Sequence, residues 1–254
     1  MTLGFDLHGP DDAPVLVLSG ALGTTTAMWD AQLPVFAGSY RVLRHDLPGH
    51  GTSPLPDARF DVGDIGAAVL ELLDGLAIER SSFCGLSLGG MVGMWLAAEA
   101  PERIDRLVLA CTGASLGTPE VYAERATRVR AEGTEVTVDG ARERWFTPAF
   151  RDTAAARVIL DQLRATPSLG YAACCEAVGA FDFHGRLPTI AAPTLALFGA
   201  EDPVTTPEVV DALLSGIPGA EAVSLPDAAH LANVEQPEAF SATVLRHLEE
   251  RVPV

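Results

Sequence analysis

The stretch Ser81-Ser82-Phe83-Cys84-Gly85-Leu86-Ser87-Leu88-Gly89-Gly90-Met91 decides how the chain folds. Residues 81–84 read as a short buried strand, and 88–100 read as a helix stopped by Pro101. Between them, Gly85-Leu86-Ser87-Leu88-Gly89 is a G-x-S-x-G turn. On such a turn the serine hydroxyl is aimed outward, and the two glycines remove side chains that would clash with neighbouring elements. The helix N-terminus behind Ser87 favours a developing anion. A plainer reading is a serine that merely caps a helix. The strand before it and the helix after it point instead to a nucleophile.

The same rhythm continues outward. Apolar runs bounded by Gly or Pro are expected to be strands at 15–18, 40–43, 107–111, 194–198 and 220–225. Helices are expected at 61–76, 208–214 and 237–251, with Asp61 near the start of the first as its cap and Ile65, Val69, Leu72, Leu73 and Leu76 on one stripe. Strands alternating with helices imply an α/β fold whose mostly parallel central sheet is covered by helices on both faces. The stretch 118–183 breaks this rhythm. It shows no convincing strand, and its apolar residues recur at helical spacing. It is expected to be a helical cap inserted into a core made of 1–117 and 184–254.

Composition narrows the function. The 254 residues carry 34 acids against 17 bases, a net charge of −17 that disfavours nucleic acid. No apolar run approaches the ~18 residues of a membrane span, and residues 1–10 lack a basic flank followed by an apolar block, so a cytoplasmic protein is expected. All 17 bases are arginine, which excludes Schiff-base, pyridoxal-phosphate and P-loop lysine chemistry. Cys84, Cys111, Cys174 and Cys175 form no C-x-x-C pair and read as small buried hydrophobes in a reducing compartment. The six histidines show no ligand spacing, so no metal is expected.

A serine hydroxyl needs a base. His230, just beyond the last expected strand, fits best; His8, His45, His50, His184 and His247 are rivals, with Gly49 and Gly51 suggesting a structural role for the turn holding His50. The imidazole in turn needs a carboxylate. Asp202 follows the strand at 194–198, with Glu201 as its neighbouring rival, while Asp227 lies close enough to His230 to be part of a turn. The order Ser87, Asp202, His230 suits this architecture. Oxyanion donors are expected from the backbone N–H of Leu88 and of Ala21 or Leu22, in the loop Ser19-Gly20-Ala21-Leu22-Gly23.

These residues, together with Asp46-Leu47-Pro48-Gly49-His50-Gly51, resemble the α/β-hydrolase superfamily over nearly the whole chain. Three stretches are similar to the 3-oxoadipate enol-lactonases: 18–24 with Met28-Trp29-Asp30, Gly85 to Met91, and Glu143-Arg144-Trp145-Phe146-Thr147-Pro148. The departure is Gly20, where that family is expected to carry a polar residue. The resemblance implies a cofactor-free acyl-enzyme mechanism on a small anionic enol-lactone. With no lysine available, Arg144 is the first candidate for the substrate carboxylate, with Arg142 and Arg130 behind it, each otherwise a solvated helix face. Trp145 would wall the pocket or pack the cap. Rival readings are a carboxylesterase, another lactonase or a C–C hydrolase on the same scaffold, a hydrolase-like ligand sensor, and an interaction module. Dehalogenases and epoxide hydrolases of this fold resemble it but use aspartate where Ser87 stands. Nucleic-acid and membrane partners are not expected, and assembly into a homo-oligomer is left open.

Overall fold

A computed structural model describes residues 1–250 of the chain. Its strands are β1 (Phe5–His8), β2 (Val15–Ser19), β3 (Arg41–His45), β4 (Ser81–Leu86), β5 (Ile104–Ala110), β6 (Thr194–Gly199) and β7 (Glu221–Leu225). Its α-helices are α1 (Leu33–Phe36), α2 (Val62–Gly75), α3 (Leu88–Glu99), α4 (Pro119–Glu132), α5 (Val138–Trp145), α6 (Ala154–Ala165), α7 (Ser168–Ala180), α8 (Pro207–Gly216), α9 (Ala232–Glu235) and α10 (Pro237–Glu249). The strands form one sheet in the order β1-β3-β2-β4-β5-β6-β7, parallel throughout except for β1, which runs antiparallel to β3. Burial is unbroken along β4, so side chains on both sheet faces are covered, as the lack of polar alternation in its sequence requires.

Local chemistry explains the element ends. Asp61 caps α2 in a reciprocal box with Asp64, and Ile65, Val69 and Leu73 form its buried stripe. Strand β5 stops at Ala110 because Cys111 turns into the left-handed region at φ 44°. Strand β4 runs two residues past the expected 84, to Leu86, which carries the sheet into the glycine-rich turn. Strand β1 was not expected. It is a half-exposed edge strand of Phe-Asp-Leu-His, too short and too polar to show an apolar run. The expected end of the final helix at Arg251 lies outside the described residues, as does the rest of 251–254. Between β5 and β6 the chain is helical, with α4 packed along α7 and α5 against α6. This insertion closes over the carboxyl ends of the parallel strands, where the loops carrying Ser87, Asp202 and His230 emerge.

Candidate active site

Ser87 stands between β4 and α3 at φ 56° and ψ −115°, a conformation that L-residues adopt only under constraint. The constraint is visible. The Ser87 N–H donates to the Ala110 carbonyl at 2.9 Å, and the Thr112 hydroxyl donates to the Ser87 carbonyl at 2.7 Å. A Cβ on Gly85 would lie 2.1 Å from the Gly89 carbonyl oxygen, and one on Gly89 would lie 2.2 Å from that of Ser19. Both positions therefore need glycine.

Two other strand ends complete the group. Asp202 follows β6, and His230 follows β7 after a turn at Asp227, whose φ is 52°. His230 Nε2 lies 3.0 Å from Ser87 Oγ, and His230 Nδ1 lies 2.9 Å from Asp202 Oδ2. The other Asp202 oxygen accepts the Val204 N–H at 2.8 Å. Burial pushes the Asp202 carboxyl up, but the facing His230 ring and these hydrogen bonds prevail and hold it below its ordinary value. The carboxylate is thus ionised where it orients the ring with Nδ1 protonated and leaves Nε2 free to take a proton from Ser87.

The rival groups lie elsewhere. His45 is wholly buried, and burial lowers its pKa to about 4. His50 is buried with both ring nitrogens engaged, by the Gly23 N–H and the Pro48 carbonyl. His8 faces Asp6, and His184 faces Asp182. His247, expected on an exposed helix, is buried against the Pro193 carbonyl instead. Glu201 and Asp227 are exposed.

In the loop after β2, the Ala21 N–H points at Met28 Sδ, 3.4 Å away. No acceptor among the described residues takes the N–H of Leu22 or of Leu88. Gly20 is explained by the same methionine. A Cβ there would sit 2.8 Å from Met28 Sδ, which fills the space a larger residue would need. Thioether sulfur is a weak acceptor, so the Ala21 N–H remains available to a stronger one.

Ser87, His230 and Leu22 face a cavity of about 260 Å³, roofed by Arg125, Arg144 and Trp145 from the helical insertion. Neither of these two guanidiniums pairs with a carboxylate among the described residues. Burial, and then the neighbouring Arg125 charge, push the Arg144 pKa below the ordinary arginine value. The Arg125 guanidinium lies 4.9 Å from the Tyr122 ring centroid. Of the other arginines considered, Arg142 pairs with Asp152 and Arg130 with Glu176, both away from the cavity. Trp145 both walls the cavity and packs, its ring edge-on to Phe146.

Sequence reading missed Arg125 and Glu235. The only signal for Arg125 was a cation at helical spacing from Val121 and Tyr122. Glu235 is a buried carboxylate that accepts the Thr147 N–H at 2.9 Å, the Thr147 hydroxyl at 2.8 Å and the Ala229 N–H at 2.6 Å. Burial pushes its pKa up against the pull of these bonds. The Leu231 N–H donates to the Trp145 carbonyl at 3.0 Å, so both neighbours of His230 are tied down. Among the described residues, no cluster of His, Cys, Asp or Glu could hold a metal ion.

A family model described as the alpha/beta hydrolase family matches residues 7–243. The chain is 37% identical to 3-oxoadipate enol-lactonase 2 of Acinetobacter baylyi, over 96% of this chain and 92% of that protein. It is 33% identical to a putative carbamate hydrolase, RutD, of Stutzerimonas stutzeri, over 97% of each. Among solved structures, the enol-lactonase from Burkholderia xenovorans LB400 superposes with a TM-score of 0.94 at 39% identity, covering 98% of this chain and 96% of that one.

Proposed function

The chain belongs to the alpha/beta hydrolase family, and from that premise we propose that it hydrolyses a small enol-lactone bearing a free carboxylate, converting 3-oxoadipate enol-lactone to 3-oxoadipate. The observation that carries the substrate is the pair of guanidiniums without carboxylate partners, Arg125 and Arg144, in the cavity that holds Ser87. Half-buried cations lacking a carboxylate partner gain when an anion arrives to pair with them.

Ser87 Oγ attacks the ring carbonyl as His230 Nε2 takes its proton. Asp202 stabilises the imidazolium so formed. The tetrahedral oxyanion is held by the Leu88 N–H and by that of Leu22 or Ala21. Collapse breaks the ring C–O bond and expels an enolate, a better leaving group than an alkoxide. His230 returns its proton to the enolate, which becomes the ketone. Water, deprotonated by His230, then attacks the acyl group, and Ser87 leaves with that proton. The sum is one lactone plus one water giving the keto-diacid. Four free, buried cysteines fit a reducing, cytoplasmic setting for this reaction.

The carbamate-hydrolase relative supports a second reading, since a carbamate is also a small anion. It has very few atoms, and so leaves most of the cavity unfilled.

A spectrophotometric assay on freshly generated enol-lactone tests the proposal. Turnover is expected in wild type, with a loss of at least about 10⁴-fold in Ser87→Ala. Undiminished activity in Ser87→Ala discards the mechanism. A wild type that ignores the enol-lactone but cleaves carbamate or p-nitrophenyl acetate discards the substrate alone.

A further inference from the structure

The turn Asp46-Leu47-Pro48-Gly49-His50-Gly51 contributes nothing to the triad, yet it grips the loop that carries the oxyanion donors. Gly23, the residue after Leu22, donates its N–H to His50 Nε2 at 3.1 Å. The other ring nitrogen lies 3.0 Å from the Pro48 carbonyl. Nε2 must be bare to accept, and Nδ1 must carry a proton to donate to a carbonyl, so the two contacts select one neutral tautomer. The same turn holds the loop again three residues on, where Asp46 Oδ1 accepts the Thr26 N–H at 2.8 Å. Between these two points, Gln162 Oε1 of α6 accepts the Thr25 N–H at 3.2 Å.

The loop needs this grip. It has glycine at 20 and at 23, and Gly23 sits at φ 85°, where glycine has no strong preference of its own. The Leu22–Gly23 peptide is rigid, so fixing its N–H fixes the plane of that unit. The N–H of Leu22 is then one pair of soft dihedrals away. We propose that His50 is a positioning residue for the reaction, setting the oxyanion loop by accepting the Gly23 N–H through Nε2. This rests on the reading of Ser87 as the nucleophile. Burial holds the His50 pKa below its ordinary value, which keeps the ring neutral and able to accept.

Two variants separate positioning from bulk. His50→Gln can place an amide acceptor near the Nε2 position, whereas His50→Leu fills the space with no acceptor. Both are compared with wild type for kcat and KM, for inhibition by a trifluoromethyl ketone, and for inhibition by the product keto-diacid. The ketone forms a tetrahedral adduct on Ser87 whose oxygen occupies the oxyanion site, and the product does not. His50→Leu is expected to lower kcat about 100-fold and to weaken the ketone by a similar factor, the scale set by misplacing or losing a donor. KM and product affinity are expected to stay within about two-fold, and His50→Gln to recover most of the loss. Equal losses in the two variants, or parallel weakening of ketone and product, overturn the proposal. Should His50→Leu fail to fold, imidazole ¹⁵N spectra of the wild type decide. A bare Nε2 with a protonated Nδ1 at neutral pH supports it, and a protonated Nε2 overturns it. A wild type that neither turns over nor takes a fluorophosphonate on Ser87 sinks the hydrolase reading itself, whereas an active enzyme indifferent to His50→Leu sinks only this inference.

Discussion

Arg125 and Arg144 divide the substrate question cleanly, because under the proposed function a carboxylate-bearing lactone pairs with them and a neutral ester has no charge to pair. Replacing either with alanine is expected to raise KM for the anionic lactone about 10- to 100-fold, the value of one charge-assisted hydrogen bond of ~1.5–3 kcal/mol. Turnover of p-nitrophenyl acetate should change little, and equal effects on both substrates would remove the pair from the carboxylate site. His45 bears on stability instead. Its folded pKa of about 4 lies below the unfolded value of 6.5, so unfolding takes up a proton in that window. Stability is therefore expected to fall as pH drops from 6.5 towards 4, by roughly 3 kcal/mol from this group. Urea titrations at pH 7 and 4.5 should show a smaller drop for His45→Gln than for wild type, with His50, His247 and carboxylates such as Glu176 among the groups supplying the remainder. Equal drops would place the proton uptake elsewhere. At this scale the grouping of Ser87, Asp202 and His230 was legible because each follows the carboxyl end of a parallel strand, Ser87 within Gly85–Gly89 and Asp202 just before Pro203. Arg125 was not legible. Which face of α4 meets the cavity is decided by the packing of Tyr122, Ala126 and Val129, not by any local motif.

The helical insertion joins the catalytic edge through hydrogen bonds that no periodicity reveals. Glu235 on α9 binds Thr147, just past α5, and Ala229, next to His230. Glu235→Ala leaves two backbone N–H groups and a hydroxyl without their acceptor. A loss of ~1–3 kcal/mol in stability is expected, as for an orphaned buried donor. A fall in kcat measured well below the new Tm is expected with it, because the His230 loop loses an anchor. A destabilised variant with unchanged kcat would confine Glu235 to holding the fold. The existence of helices in 118–183 was legible from their 3.6-residue pattern. Their contacts were not, because α4 and α7 pair across a long stretch of chain that no local signal spans. Edge strand β1 escaped for a related reason. Its pairing with β3 comes from a sheet edge seeking a partner, while its own residues carry no buried run.

At the level of the whole molecule, the proposed anionic substrate would have to reach a protein of net charge −17. The surplus acids repel it at distance, an effect that salt screens within ~8 Å at physiological ionic strength. Capture therefore falls to local cations, and with no lysine in the sequence every side-chain cation is an arginine. That composition makes chemical modification selective. Acylating reagents find no side-chain amine, so N-hydroxysuccinimide acetate is expected to leave kcat/KM unchanged. Butanedione, which reacts with guanidinium groups, is expected to inactivate the enzyme towards the anionic lactone. The product keto-diacid, by occupying the cavity under Arg125 and Arg144, should slow that inactivation several-fold, and an uncharged ester should not. Most other arginines are exposed or paired with acids at the surface, such as Arg80 with Asp105 and Arg164 with Glu135, and their modification carries no reason for product protection. If butanedione inactivates at the same rate with and without the diacid, the anion is bound by something other than these guanidiniums. The cavity would then need backbone N–H groups alone to hold a carboxylate, which the net charge of the chain makes the harder task.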